Sequence, residues 1–232
     1  MKILSFDVGI KNLSFCLLNN NIIEDWGILN ICTDDICEHY SNDGKRCNNS
    51  VKFFCDSGTF TDKKLFQVCS SHKKIKKYSD KKFKCIPKKK NPILDQGKNI
   101  VKKLEEKDNF LNVDLVIIEN QPALKNPTMK SIQMMLYTYF LIKGVTNNES
   151  SIENIELINA RNKLKAYKGP KIECDIKDKY KRTKYLGIEY CKYMIIDSKQ
   201  DEQWINLFTQ SKKKDDLADA YLQGMYVLGL NI

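Results

Sequence analysis

KILSFDVGIKNLSFCLL, residues 2–18, decides the fold. Residues 2–8 make one short apolar run and residues 13–18 a second, with the turn formers Gly9 and Asn12 between them. Runs of this kind, bounded by such residues, pair as antiparallel strands across a tight loop. Residues 22–31 supply a third run, so the chain is expected to open with a three-stranded meander. Asp7 then ends the first strand. A lone aspartate in that place is most often a turn or cap residue, so its meaning depends on what the rest of the chain brings to it.

Outward from this opening, residues 113–118 (VDLVII) have the near-continuous aliphatic character of a strand buried on both faces. Residues 127–143 read as a largely buried helix with Pro127 in its first turn, and residues 155–158 as another strand. Ile93, Ile100, Val101 and Leu104 share a helical face. A long amphipathic helix is expected within residues 175–197 and a last helix over residues 213–228. Strands first, then helix and strand in alternation, give a mixed α/β order: a central sheet with helices packed on it. Residues 32–91 break the pattern, being polar and rich in cysteine and lysine. They are expected to form an insertion in a domain made of residues 1–31 and 92–232. A chain of 232 residues suits that plan.

The formal net charge of +10 points to a polyanionic partner, because clustered lysines release counterions condensed on phosphates. From His72 to Asn91 ten lysines stand against one acid, Asp80, so nearly the whole excess lies in one stretch. A solvated tract and a membrane surface are the competing explanations of that stretch. No run approaches the roughly 20 apolar residues needed to span a bilayer, and no signal-peptide pattern opens the chain, so a soluble, intracellular protein is expected. Nine cysteines without a secretion signal argue against a disulfide framework.

Three separated places put carboxylates at the end of apolar elements: Asp7, Glu119, and Asp216 with Asp219 in the DDLAD run. If the first and central strands are neighbours, Asp7 and Glu119 emerge at one edge of the sheet, where ligands of open α/β sheets collect. Asp219 shares a helical face with Asp216 or with Asp215. Leu217, Tyr221, Gly224 and Leu228 mark the buried stripe of that helix, and Asp216 lies nearer to it than Asp215. Four such oxygen donors suit Mg²⁺ or Mn²⁺. Two of these ions about 4 Å apart support phosphodiester hydrolysis. Acids early in a helix also have an ordinary explanation in the helix dipole, so the reading rests on co-occurrence.

FDVGIKN at 6–12, IENQP at 118–122 and KKDDLADA at 213–220 resemble the three acidic motifs of the RuvC-like Holliday-junction resolvases, in particular the poxvirus-type enzymes and their relatives in other large DNA viruses. The resemblance covers the chain's two ends and middle and leaves 32–92 outside. It implies an RNase H-like fold with a mixed five-stranded sheet flanked by helices. It also implies Asp7, Glu119, Asp216 and Asp219 as catalytic metal ligands, and a lysine in the loop after the fifth strand that steadies a phosphate or the attacking water. Lys163 of INARNKLK is the best match for that lysine, with Lys165 a second candidate. A homodimer that places paired symmetrical nicks across a four-way DNA junction follows from the same likeness.

In the insertion, Cys37, Cys47, Cys69 and His72 give C-x9-C-x21-C-x2-H, a donor set suited to tetrahedral, structural Zn²⁺. His39 and Cys55 are rival ligands. Cys16, Cys32, Cys85, Cys174 and Cys191 read as core or incidental. Two other classes compete with the nuclease. Asp-x-Gly in a β-meander also opens sugar-kinase and actin-like ATPases, but the glycine-rich phosphate loops those need are missing. A non-catalytic junction binder is the other, and clustered carboxylates argue against it because they repel DNA unless a cation neutralises them. An RNase H or a less branch-selective RuvC-type enzyme is the rival within the nucleases.

Overall fold

The computed structural model describes residues 1–31, 35–56, 65–87, 92–124 and 126–230. The chain divides into two compact units, Met1–Cys32 with Ile93–Ile232, and Thr33–Pro92. In chain order the elements are β1 (Lys2–Val8), β2 (Asn12–Asn19), β3 (Ile22–Asn30), β4 (Phe53–Asp56), β5 (Leu65–Val68), β6 (Lys84–Cys85), α1 (Pro92–Glu105), β7 (Leu115–Glu119), α2 (Pro127–Phe140), β8 (Asn154–Ile158), α3 (Lys179–Asp197), α4 (Glu202–Gln210) and α5 (Lys214–Leu228).

The larger unit is built on a five-stranded sheet of order β3-β2-β1-β7-β8. The meander β1 to β3 is antiparallel, whereas β7 runs parallel to β1 and β8 parallel to β7. Alternation along the strands sorts side chains between two layers. Leu4, Phe6, Val116 and Ile118 face one core, where Ile100 of α1 and Leu136 and Phe140 of α2 cover them. Ile3, Leu115 and Ile117 face the other, under Cys191 and Ile195 of α3, Phe208 of α4 and Leu217 and Tyr221 of α5. By the same period of two, Asp7 and Glu119 point to the α5 side.

Two contacts seat α5. The Trp26 indole N–H donates to the Leu217 carbonyl at 3.1 Å. Gly224 lets the helix approach the sheet, for a Cβ there would lie 2.7 Å from Leu18 Cδ1 and 3.4 Å from Ser5 Cβ. The expected stripe of Leu217, Tyr221, Gly224 and Leu228 is buried. Three features differ from the sequence reading. α4 is an additional helix, introduced by Asp201, whose side chain accepts from the Gln203 amide. On α1, Ile100 and Leu104 are buried but Ile93 and Val101 face solvent, because α2 covers only part of the apolar face. The helix after Pro127 is half-buried, with Met134 exposed, and it loosens into a π-type turn over Leu141–Val145 in which Ile142 is also exposed.

The smaller unit holds a three-stranded antiparallel sheet of order β5-β4-β6. Its core is Cys37, Val51, Val68, Cys69 and Tyr78, with Phe53, Phe66 and Phe83 packed against them. Lys88, Lys89 and Lys90 of the basic stretch, and Cys32, lie outside the described residues.

Candidate active site and metal centre

The parallel register pairs Phe6 with Ile118, so Asp7 and Glu119 leave neighbouring strands at the same end of the sheet. Between β1 and β2 the chain turns so tightly that a Cβ on Gly9 would lie 2.5 Å from the Asn12 carbonyl oxygen. The turn fixes Asp7, whose Oδ2 accepts from Ser14 Oγ at 3.3 Å across the hairpin. Buried glutamines brace both strand ends. Gln223 of α5 donates to Ser5 Oγ at 3.2 Å and to the Phe6 carbonyl at 3.3 Å. The Gln121 amide donates to Gln133 Oε1 of α2 at 2.7 Å.

Asp7, Glu119, Lys163, Asp215, Asp216 and Asp219 line one cleft of about 730 Å³, which Gly9, Tyr180 and Lys184 also border. The four acids expected from the sequence, and Lys163, are thus brought together. Lys163 lies in the 3₁₀ segment Ala160–Ala166 that follows β8, and its ammonium pairs with Asp219. Lys165 points elsewhere and donates to Asn162 Oδ1 at 2.9 Å. Asp215 is held by Lys184 of α3 at 2.6 Å, whereas among the described residues Asp216 pairs only with Lys213, at 3.4 Å. That difference leaves Asp216 the freer of the two.

The electrostatics are those of crowded carboxylates. Burial, reinforced by a hydrogen bond to Glu119 and by its charge, pushes the Asp7 carboxyl well above the usual range. Burial also raises Asp219, to about 7, with Lys163 opposing and Asp7 adding to the rise. For Lys163 burial disfavours the charge, but Asp219, Glu119 and Asp7 outweigh it and hold the ammonium protonated. Asp215 is lowered despite burial, because Lys184 bonds to it. Sequence reasoning did not single out Tyr180 and Lys184; the signal was the KYKRTKY run at residues 179–185, about two turns rich in bases and tyrosine, read only as part of a helix.

In the smaller unit the ligand atoms of Cys37, Cys47, Cys69 and His72 all lie within 4.8 Å of one another. Backbone amides already point at the sulfurs, from Cys69 to Cys37 Sγ at 3.3 Å and from Asn49 to Cys47 Sγ at 3.5 Å. Although burial opposes it, hydrogen bonds from the His72 and Ser71 amides lower the Cys69 thiol, which favours the thiolate a metal requires. The rivals are occupied otherwise. His39 Nδ1 is 2.9 Å from the Tyr78 hydroxyl while its ring packs at a tilt against His72, and Cys55 sits on β4 outside the group.

A second groove, of about 720 Å³, runs beside Ile93, Val101, Met134 and Ile142 and carries no such cluster. Among the described residues no helix is long and apolar enough to cross a membrane.

A mixed five-stranded sheet, flanked by helices and with acids gathered at the ends of β1, β7 and the start of α5, is an RNase H-like architecture. Residues 3–123, just over half of the chain, match the family described as mitochondrial resolvase Ydc2 / RNA splicing MRS1. The chain belongs to that family. The uncharacterized protein L451 of Acanthamoeba polyphaga mimivirus is 35% identical over 209 residues, covering 84% of this chain and 47% of that protein. The chain therefore spans about half the length of the curated relative it matches. The crystal structure of the yeast mitochondrial Holliday junction resolvase Ydc2 aligns with 97% of this chain and 78% of its own, at 15% identity and a TM-score of 0.53. A fowlpox virus resolvase in complex with substrate Holliday junction DNA aligns over 100% and 99%, at 17% identity and a TM-score of 0.47.

Proposed function

We propose that this chain is a divalent-metal-dependent endonuclease that resolves four-way DNA junctions by paired, symmetrical nicks. The observation that carries the proposal is the convergence of Asp7, Glu119, Asp216 and Asp219, with Lys163, in one cleft of a resolvase-family fold. The nuclease domain would be residues 1–31 and 92–232, with 32–91 an inserted zinc-binding module.

The residues fit Mg²⁺ or Mn²⁺. Asp7 and Glu119 share a hydrogen bond and repel each other as anions, a burden that a cation between strand ends and helix relieves. Bound there, two such ions would supply Lewis acidity for attack on a phosphodiester and for the leaving oxygen. The chain's own part is to set the geometry. Gly9, Ser14, Gln223 and Gln133 hold the strand-end acids in place, and Lys163, paired with Asp219, would offer its ammonium to a phosphate oxygen with Asp219 as a metal ligand. Lys184 draws Asp215 aside, leaving Asp216 to act with Asp219.

The Cys37, Cys47, Cys69 and His72 group would hold Zn²⁺ as a closed structural site. Its short strands, of two to four residues, have little stability without such a staple. A homodimer would set two clefts against the two opposed strands of a nearly two-fold junction. A mimivirus relative fits a role at the site of viral DNA replication, in cytoplasm or nucleus.

The decisive experiment offers a labelled four-way junction, a linear duplex and an RNA–DNA hybrid in Mg²⁺ or Mn²⁺. Symmetrical nicking of the junction alone, lost in Asp7→Asn and Glu119→Gln, is the expected result. Strong cutting of the hybrid would favour an RNase H activity. Binding without cutting would favour a non-catalytic junction or RNA protein, the other branch of the family's description; the crowded, buried acids count against that reading.

A further inference from the structure

Among the described residues, the basic stretch after His72 does not line the cleft and lies within the smaller unit. His72, one of the Cys₃His group, opens a 3₁₀ turn, His72–Lys74, and a second turn, Lys76–Tyr78, follows at once. Ile75, Tyr78, Phe83 and Ile86 turn inward against the unit's core, while Lys73, Lys74, Lys76, Lys77, Lys82 and Lys84 are exposed.

Anchors stand at both ends of the double turn. At one, His72 belongs to the metal group and carries the His39 ring at 3.8 Å. At the other, buried Tyr78 packs on Phe66 at 5.0 Å, and its hydroxyl is 2.9 Å from His39 Nδ1. His39 thus links the two. The Lys73 ammonium lies 4.1 Å over the Phe53 ring. Among the described residues none of the six exposed ammonium groups is paired with a carboxylate.

We infer that this lysine face is a docking surface for the phosphate backbone of a duplex nucleic-acid arm, held in shape by the metal bound at Cys37, Cys47, Cys69 and His72. Exposed ammonium groups carried on a braced backbone match a regularly spaced polyanion, and their affinity comes from released counterions. The neighbouring rings of Phe66, Tyr78 and Phe83 are turned into the core. With Lys73 capping Phe53, the described face offers charge without an open stacking platform, which suits paired strands and not splayed bases. The inference rests on the proposed action on branched DNA and names how an arm is gripped.

The test combines Lys73→Gln, Lys74→Gln, Lys76→Gln and Lys77→Gln in a Glu119→Gln background and measures junction affinity across a salt series at fixed Mg²⁺. Each lost phosphate contact flattens the log–log salt slope by about 0.9, so a decrease of about three to four is expected, with affinity at low salt falling about a hundredfold or more. Stripping zinc from the parent with a chelator should flatten the slope similarly. With Glu119 intact, the four-lysine variant should cut at the parent's rate once protein is saturating.

An unchanged slope in the lysine variant overturns the inference, as does a lowered rate at saturation. Loss of binding to phosphatidylserine vesicles with the DNA slope intact overturns it in favour of a membrane surface. A slope insensitive to zinc removal overturns the metal's part. Failure of the parent with Glu119 intact to cut the junction refutes the proposed function instead, whatever the slope.

Discussion

Lys163 and Asp219 form an ion pair inside the acid-lined cleft, joining the 3₁₀ segment after β8 to the last helix. The lysine exposes 11% of its side chain and the aspartate 25%, so the pair is shielded from solvent on most sides. Before any cation arrives, Lys163 is the charge that makes the crowding of Asp7, Glu119 and Asp219 tolerable.

Replacing it should therefore act on chemistry more than on fold. Lys163→Met is expected to slow single-turnover junction cleavage about 10²-fold or more, the scale of losing one transition-state donor. Lys163→Arg should recover part of the rate. Lys165→Ala, whose side chain points to Asn162, should cut like the parent.

The pH response follows from the raised acids. Asp219 is raised to about 7 and Asp7 is raised well above its usual range, while in the unfolded chain an aspartate titrates near 3.9. From about pH 4 to 7 the folded protein thus holds more protons than the unfolded one, so these groups make the metal-free protein less stable as pH rises. Mg²⁺ competes with those protons. Its effect on Tm, read by differential scanning fluorimetry, should be small near pH 5 and grow through about pH 7. A shift of equal size at both ends of that range would refute the assignment of these acids as ligands.

Gly9 is the backbone's weak point in the site. Gly9→Ala must push a Cβ against the Asn12 carbonyl, which moves the β1–β2 turn and with it Asp7. A loss of about 1–3 kcal/mol in denaturant unfolding is expected, together with cleavage reduced far more than stability alone explains. Retained activity at a lowered Tm would show that the turn does not position Asp7.

Zinc analysis of the purified chain by mass spectrometry should find one ion per chain. Cys69→Ser and His72→Ala should lose it, whereas His39→Ala and Cys55→Ser should keep it, since those two stand outside the ligand group. Zinc retained without His72 but lost without His39 would reassign the fourth ligand.

The strand acids are legible in the sequence because a period of two fixes which side of the sheet a residue serves: Asp7 follows Ile3 and Ser5, and Glu119 follows Leu115 and Ile117, on the face toward α5. The order of elements is legible for the same reason. α4 is not: it has only nine residues, and its inward Phe208 makes too short a series to separate from a loop. The strands of the smaller unit are shorter still, below the length at which alternation shows. Gln133 and Gln223 are polar residues inside apolar helices, and they bond outside those helices, Gln133 to the Gln121 amide just past β7 and Gln223 to the Phe6 carbonyl of β1. Nothing local distinguishes them from surface glutamines. The buried stripe already favours Asp216 over Asp215 in the sequence, but the pairing of Asp215 with Lys184 does not show there, because another helix supplies that partner.

Asp7 stands on the first strand and Asp219 on the last helix, and Trp26 and Gly224 seat that helix against the meander. Contacts so far apart in sequence close late and slowly. A nascent chain still lacking α5 carries only half of the acids proposed as metal ligands, and its Lys163 lacks the Asp219 partner. Under the proposed function, synthesis itself therefore acts as a safety catch, arming the cleft only after α5 has left the ribosome and docked.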